Sequence, residues 1–270
     1  MLNTLYYIYM PAIRRTTKQI SYAALVVGII SLFVFLFVLP YFSLFQQEDT
    51  TPPTVRESIV IESIDAITHE GTVDIVALVR NPNPKAGVPD YTLVFVLLDV
   101  EGNEIETISE QTYLLPGSLK YVSVLDVAIS KKLDKVRVDQ PADPIFVDSK
   151  QFIPTFNSFL RTRSIRNVGN RRVEIQKGIV TNTSDLGFRY VDVSGVAFDS
   201  KDNVVGVSKT FLGEVQAGEQ REFTLQWPQP FVGTVKVIVL PDTNIYRKDN
   251  VLPVTGDPGN LRDEIILEEG

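Results

Sequence analysis

The sequence predicts an all-β ectodomain of two tandem seven-stranded β-sandwiches that follow one N-terminal transmembrane helix. An uncharged apolar run, Ile20 to Leu39, predicts the helix. Strand-length apolar segments separated by turn residues, and a likeness between the two halves at offsets of 100 or 101 residues, predict the sandwiches. The predicted segments are a cytoplasmic N-terminus (1–19), the transmembrane helix (20–42), a tether (43–56), repeat 1 (57–150), repeat 2 (151–250) and an acidic tail (251–270).

The apolar run has the length of a membrane span. At about 1.5 Å per residue, twenty helical residues reach roughly 30 Å, the thickness of the hydrocarbon core. A cleaved secretory signal is the alternative, but it would have a shorter apolar region that ends at a small-x-small site. Pro40, Tyr41 and Phe42 follow instead and suit the membrane interface. We therefore expect an uncleaved anchor.

Charge predicts the orientation of that anchor. Arg14, Arg15 and Lys18 precede it with no acid among residues 1–19, and the basic side of a span stays in the cytoplasm. The expected location is the cell membrane, single-pass, with the N-terminus cytoplasmic and residues 46–270 outside. Met10 is an alternative start to Met1.

Composition argues against most catalytic chemistry. The chain has no cysteine and one histidine, His69, which we expect to be an exposed turn residue. No Walker loop, GxGxxG or nucleophile elbow is present. Asp99 and Asn103 could belong to a calcium loop, but hairpin turns explain them and the similar Asp199 with fewer assumptions. The prediction is no enzyme, no metal and no cofactor.

Repeat 1 has the alternation and turn spacing of a sandwich. Its predicted strands are Ser58–Ala66, Thr72–Arg80, Tyr91–Asp99, Glu104–Thr112, Ser118–Val127 and Lys132–Asp139. The segment Tyr91 to Leu98 is apolar on both faces, which predicts a central strand. Repeat 2 has matching positions, so Val79-Arg80-Asn81 corresponds to Val180-Thr181-Asn182. About seven strands in about 95 residues is typical of immunoglobulin-like or fibronectin-like sandwiches.

Repeat 2 resembles an FxLYD domain. The matching positions are Gly178, Val180, Asn182, Phe198, Asp199, Gly218, Glu219 and Phe223, and those of the more divergent repeat 1 are Ala77, Val79, Asn81, Leu98, Asp99 and Gly117. Asn81-Pro82-Asn83-Pro84 is also similar to the desiccation-related late-embryogenesis β-sandwich. The whole plan resembles uncharacterised bacterial envelope proteins. This resemblance implies a fold and a location, and it brings no catalytic residues.

Charge and aromatic residues give the candidate interaction sites. Residues 46–150 carry a net charge of −9, repeat 2 of +3 and residues 251–270 of −4. The candidate interaction residues are Arg161, Arg163, Arg166, Arg171, Arg172, Trp227 and Phe231. The arginines could meet lipid phosphates or an anionic polymer, or could protect an edge strand from aggregation. Trp227 could be an exposed anchor or could close a core.

Two short motifs have simpler explanations than their functional ones. Leu252 to Gly256 spells a sortase pentapeptide without the apolar span and basic tail that sorting requires, so a linker is the competing explanation. Asn182-Thr183-Ser184 is a formal N-glycosylation acceptor at a turn. No aromatic-basic pattern supports nucleic-acid binding.

The predicted function is a non-catalytic, membrane-anchored interaction or structural module of the cell envelope. Its expected partners are the membrane, through Ile20 to Leu39, and envelope proteins or a second copy of the chain. The alternative is a sandwich that binds a lipid or another apolar ligand, suggested by the two-sided strand Tyr91 to Leu98. A lined cavity between the sheets would distinguish the alternative.

Overall fold

The computed structural model describes residues 56–148, 153–233 and 235–253, together with Leu32. Residues Arg56–Gly270 form one compact unit, separate from Met1–Val55. The predicted transmembrane helix lies outside the described residues except for Leu32. Within the part of the chain that is described, no helix is both long and apolar enough to cross a bilayer.

The described residues carry thirteen strands, six or seven in each repeat. In chain order they are β1 (Val60–Thr68), β2 (Thr72–Arg80), β3 (Ala86–Leu98), β4 (Glu104–Leu114), β5 (Leu119–Ala128), β6 (Lys135–Asp139), β7 (Val147–Asp148), β8 (Phe156–Val168), β9 (Arg171–Asn182), β10 (Phe188–Phe198), β11 (Val204–Val215), β12 (Gln220–Trp227) and β13 (Lys236–Asp242). All pairings are antiparallel. The prediction that the two repeats are all-β is confirmed for residues 56–148, 153–233 and 235–253.

The two repeats share one sheet topology. Repeat 1 has the orders β1-β2-β5 and β4-β3-β6, and repeat 2 has β8-β9-β12 and β11-β10-β13. Repeat 1 has a seventh strand, the two-residue β7, which pairs with β3. In repeat 2 the corresponding contact is an isolated bridge, Phe188 to Val251. Among the described residues, the expected seven strands are therefore present in repeat 1, whereas repeat 2 has six, because hydrogen-bonded turns around Asn244 and Asn250 occupy its end.

Each repeat has its own core between its two sheets. In repeat 1, alternate residues of β2 and β3 point inward, and Ile75, Tyr91 and Phe95 are fully buried. In repeat 2 the core contains Phe188 and Trp227. This period-two burial is what the alternating sequence predicts.

A buried asparagine fixes the same corner in both repeats. The Asn81 side chain donates to the carbonyl oxygens of Ala86 (2.7 Å) and Leu115 (2.9 Å). The Asn182 side chain donates in the same way to Leu186 (2.8 Å) and Gln216 (3.1 Å). Both asparagines are completely buried, so a turn role explains the glycosylation motif at Asn182.

The outer faces of two sheets meet in a seam between the repeats. Val76, on the outer face of β1-β2-β5, packs with Val196 and Val207 of the β11-β10-β13 sheet. Partly buried residues around them are Ile67, Tyr121, Leu125, Phe198 and Val204. Four sheets are therefore stacked through two cores and one seam.

Strand directions in the two repeats are parallel across the seam. Near the corners, the Tyr246 hydroxyl donates to the Leu114 carbonyl (3.2 Å). Toward the hairpin ends, Ile67 and Phe198 both pack against the cluster of Val76, Val196 and Val207. Both corners therefore lie at one end, where the described unit begins at Arg56, and the tip of the β8–β9 hairpin lies at the opposite end.

Candidate interaction arm

The β8–β9 hairpin ends in an exposed ribbon, which we call the arm (residues 161–172). All twelve residues of the arm are exposed. Strand β12 pairs with β9 only as far as Glu174, so the last three residue pairs of the hairpin form a two-stranded ribbon. Gly169, with φ of 60°, occupies the first central position of the two-residue turn, where a type II′ turn requires glycine.

Two of the five predicted arginines are paired within repeat 2. Arg163 binds Glu174 with both ends of its guanidinium, at 2.7 and 3.0 Å, and Arg161 lies 3.5 Å from Glu222. Burial alone would raise the pKa of the Glu174 carboxyl, but hydrogen bonds from Arg163, Gln176 and the Phe231 amide lower it. Arg163 therefore has a structural partner that the sequence did not reveal.

The other three arginines carry uncompensated charge. Among the described residues, Arg166, Arg171 and Arg172 have no ion-pair partner. The register places Arg166 and Arg171 on one face of the ribbon and Arg172 on the other. Positive charge therefore surrounds the tip.

Exposed aliphatic side chains lie beside these charges. Ile165 is 47% exposed and Val168 is 52% exposed. Val232, in the neighbouring loop, is 99% exposed. This loop is held against the arm, because the Phe231 amide donates to Glu174 (3.0 Å), directly opposite Ile165 in the register. The end of repeat 2 thus combines cations and aliphatic surface.

The two aromatic candidates lie in different surroundings from the arginines. Trp227 is 1% exposed and packs edge-on against Phe231, with ring centroids 5.3 Å apart. This position fits the core-closing interpretation of Trp227 and leaves no exposed anchor there. Phe231 is partly buried, and a Cβ on Gly206 would come within 2.6 Å of its ring.

A second polar cluster, in the seam, was not predicted. Asp192 and Asp242 are direct cross-strand neighbours in repeat 2, an unfavourable pairing of like charges. Repeat 1 supplies the compensation: Lys120 lies 2.8 Å from Asp242, and the Tyr113 hydroxyl donates to Asp192 (3.4 Å). The Lys120 ammonium also lies 3.1 Å from the Tyr113 ring centroid. The sequence gives no signal for this polar cluster, because its four residues come from strands that are distant in the chain.

The surroundings in the seam raise the pKa values of one aspartate and two tyrosines. Desolvation by the surrounding protein, together with the charge of Asp242, raises the pKa of Asp192 although the residue keeps an exposed side. Burial raises the pKa of Tyr113, as it does that of Tyr246. These side chains are engaged with one another, so the cluster acts as a latch between the repeats.

His69 differs from its prediction. It lies in the β1–β2 turn as expected, but its side chain is only 10% exposed. Its Nε2 lies 2.9 Å from Asp74, whose other carboxyl oxygen accepts the Asp126 amide (2.8 Å). The prediction of an exposed turn residue is therefore wrong, because Asp74 draws the ring against the sheet.

The Asp99 and Asp199 carboxylates are hydrogen-bonded within their own turns. Each Oδ1 accepts backbone amides two and four residues later, at 2.8 to 3.1 Å. Burial would raise the pKa of Asp99, but bonds from Asn103 and Lys131 lower it to about 2. The hairpin interpretation is confirmed, and no metal-binding group of acids and histidine is found among the described residues.

The core of repeat 2 is tightly filled where glycines face it. A Cβ on Gly195 would lie 2.3 Å from Leu225, and one on Gly178 would lie 2.4 Å from the Phe223 ring. A side chain as small as a methyl group would collide there. At these points the space between the sheets is occupied by the protein's own side chains.

Comparison with known proteins assigns no family. No protein-family model and no curated protein matches the chain. Among solved structures, a match is red sea bream transglutaminase, 12% identical, with a TM-score of 0.23, covering 67% of this chain and 28% of that one. This chain therefore spans about a quarter of the matched protein, and so low a TM-score supports no conclusion about fold or activity.

Proposed function

We propose that this protein is a single-pass, membrane-anchored interaction module of the cell envelope that presents the arm to a partner. Its two repeats would be immunoglobulin-like or fibronectin-like sandwiches related to FxLYD domains, outside the cytoplasm. The observation that carries the proposal is the arm itself, which combines exposed aliphatic surface with three arginines that have no ion-pair partner among the described residues. An exposed, charged loop region on a rigid β-scaffold is where binding residues concentrate in sandwich proteins.

The placement of the arm supports the same function. The described unit begins at Arg56, near the corners, and β8 runs about 40 Å from there to the tip at about 3.3 Å per residue. The arm is thus at the opposite end of the unit from Arg56, where it is exposed along its whole length.

The latch supports a scaffold role for the two repeats. A seam closed by Val76 and by the Lys120–Asp242 pair holds the repeats as one unit. A rigid pair of sandwiches keeps the residues at one end in a fixed position relative to those at the other end. The space between the two sheets of repeat 2 is filled at Gly178 and Gly195, which favours a scaffold over a carrier of an apolar ligand.

Site-specific photo-crosslinking tests this proposal in cells. A photoreactive residue at Asn167, in the arm, should give reproducible crosslinks, whereas one at Glu70, in the matching turn of repeat 1, should give few. Equal crosslinking at both positions, or none at Asn167, would contradict the proposal. Protease protection of the anchored chain tests the orientation, since residues 46–270 should be cleaved only from outside.

A further inference from the structure

The arm matches the chemistry of an anionic bilayer surface. We infer, building on the proposed function, that the partner of the arm is an anionic lipid membrane facing the far end of the protein. The arm would lay Ile165, Val168 and Val232 into the headgroup boundary, with Arg166, Arg171 and Arg172 at the lipid phosphates.

The first step is charge. Arg166, Arg171 and Arg172 have no acid partner among the described residues, and they lie around the tip rather than in one row. A flat anionic surface can be reached by all three at once. Guanidinium groups bind phosphate oxygens through paired donors, and each basic group near an anionic leaflet adds to the attraction.

The second step is shape and apolar surface. The tip is a two-stranded ribbon that protrudes past the end of β12, so it offers a convex end. Val232 is 99% exposed in a loop that is held beside the ribbon. Aliphatic side chains at a convex basic end suit shallow insertion, while arginine stems extend along the boundary.

Vesicle capture by the full-length protein tests the inference. The protein is reconstituted in nanodiscs of phosphatidylcholine and mixed with vesicles of phosphatidylcholine alone or mixed with phosphatidylglycerol. We expect capture by the anionic vesicles only, weakening as salt rises. Capture that is equal for both vesicle types would overturn the inference.

Two variants locate the contact. Changing Arg166, Arg171 and Arg172 to serine should weaken capture about a hundredfold, because each basic group contributes about one factor of five. The matched control changes three exposed basic residues near the corners, Lys85, Arg221 and Lys248, to serine and alters the net charge equally. Equal losses in both variants would show that net charge, not the arm, drives capture, and would overturn the inference.

An aliphatic variant tests insertion. Changing Ile165, Val168 and Val232 to serine should weaken capture about tenfold without changing the salt dependence. If this variant binds as tightly as the parent, the insertion step is wrong. Thermal unfolding of each variant should match the parent, since the changed side chains are exposed.

The vesicle experiment and the crosslinking experiment can fail independently, so the lipid inference and the proposed function are tested separately. Protein crosslinks at Asn167 together with no vesicle capture would overturn the lipid inference and leave the interaction module standing. Absence of both would overturn the two together. Crosslinks to lipid at Asn167 with anionic capture would support both.

Discussion

The two repeats fill equivalent cores with side chains of different size at corresponding positions. The Asp99 and Asp199 turns align at an offset of 100 residues, which sets Phe95 opposite Gly195 in the aligned strands. Phe95 fills the core of repeat 1, whereas in repeat 2 the space above Gly195 is taken by Leu225, with Trp227 behind it. The comparison teaches that core volume, not residue identity, is what the fold requires.

The hairpins at the far end differ more than the cores. In repeat 1 the β1–β2 turn is closed by His69 against Asp74. In repeat 2 the strands continue past β12 and carry arginines for which the described part of the chain supplies no ion-pair partner. The repeats thus agree where packing decides the structure and diverge at the end where we place the function.

Substitutions that change the volume of the core should have the largest effect on stability. Phe95→Ala should lower the free energy of unfolding by about 3–5 kcal/mol, because it leaves a cavity. Gly195→Ala should lower it by about 1–3 kcal/mol through the clash with Leu225. Urea unfolding of residues 46–270 measures both. A Gly195→Ala protein that also carries Leu225→Val should regain stability; no recovery would mean that the exchange of size is not the cause.

The buried asparagine corners should respond alike. Asn81→Ala and Asn182→Ala should each cost about 2–3 kcal/mol, because backbone carbonyl groups lose their donor in a buried site. Denaturant midpoints compare the two. Thr183→Ala, next to Asn182 on the surface, serves as the control and should cost little. A large difference between the two asparagine variants would break the equivalence of the corners.

The latch should couple the two repeats. Lys120→Met should cost about 2 kcal/mol, because Asp192 and Asp242 then face each other uncompensated, and the added change Asp242→Asn should recover most of it. Unfolding followed by separate probes in each repeat would show whether they still melt together. If the effects of Lys120→Met and Asp242→Asn on the free energy of unfolding simply add, Lys120 and Asp242 do not stabilise each other.

The raised pKa of Asp192 also predicts that the stability of the protein depends on pH. Its pKa is raised in the folded state, so the folded protein holds this proton more tightly than the unfolded chain. Stability from this group should fall as pH rises through the window from the ordinary aspartate pKa to the raised one. Asp192→Asn should flatten the curve there, and an unchanged curve would contradict the assignment.

The smallest expected difference lies between the two aspartate turns. The pKa of Asp99 is lowered to about 2, and that of Asp199 is also lowered. Each contributes stability that is present above the ordinary pKa and is lost as pH falls through the lowered one. Asp99→Asn should shift the acid-unfolding midpoint more than Asp199→Asn, because only Asp99 also pairs with Lys131. The reverse order would show that the lysine is unimportant.

Much of the fold follows from local sequence. Strand β2 was predicted with both ends correct, and β4, β5 and β6 within a few residues, because alternation and turn residues are short-range signals. The start of β3 was placed too late, since Ala86 to Val88 pair with β7 and β4 through backbone contacts that the local pattern does not show. The arginines of the arm were found by composition, but the separation of Arg163 from the free ones was not.

The sequence by itself determined the all-β class, the repeat, the matching strand-end asparagines and the hairpin turns, because each depends on neighbours in the chain or on period-two burial. Only the tertiary structure decided the seam, the pairing of Lys120 with Asp242, the burial of His69 and the exposure of the arm. Those features bring together residues that are far apart in the chain, or depend on where a neighbouring strand stops. No local pattern encodes such contacts, since they exist only once the sheets have packed.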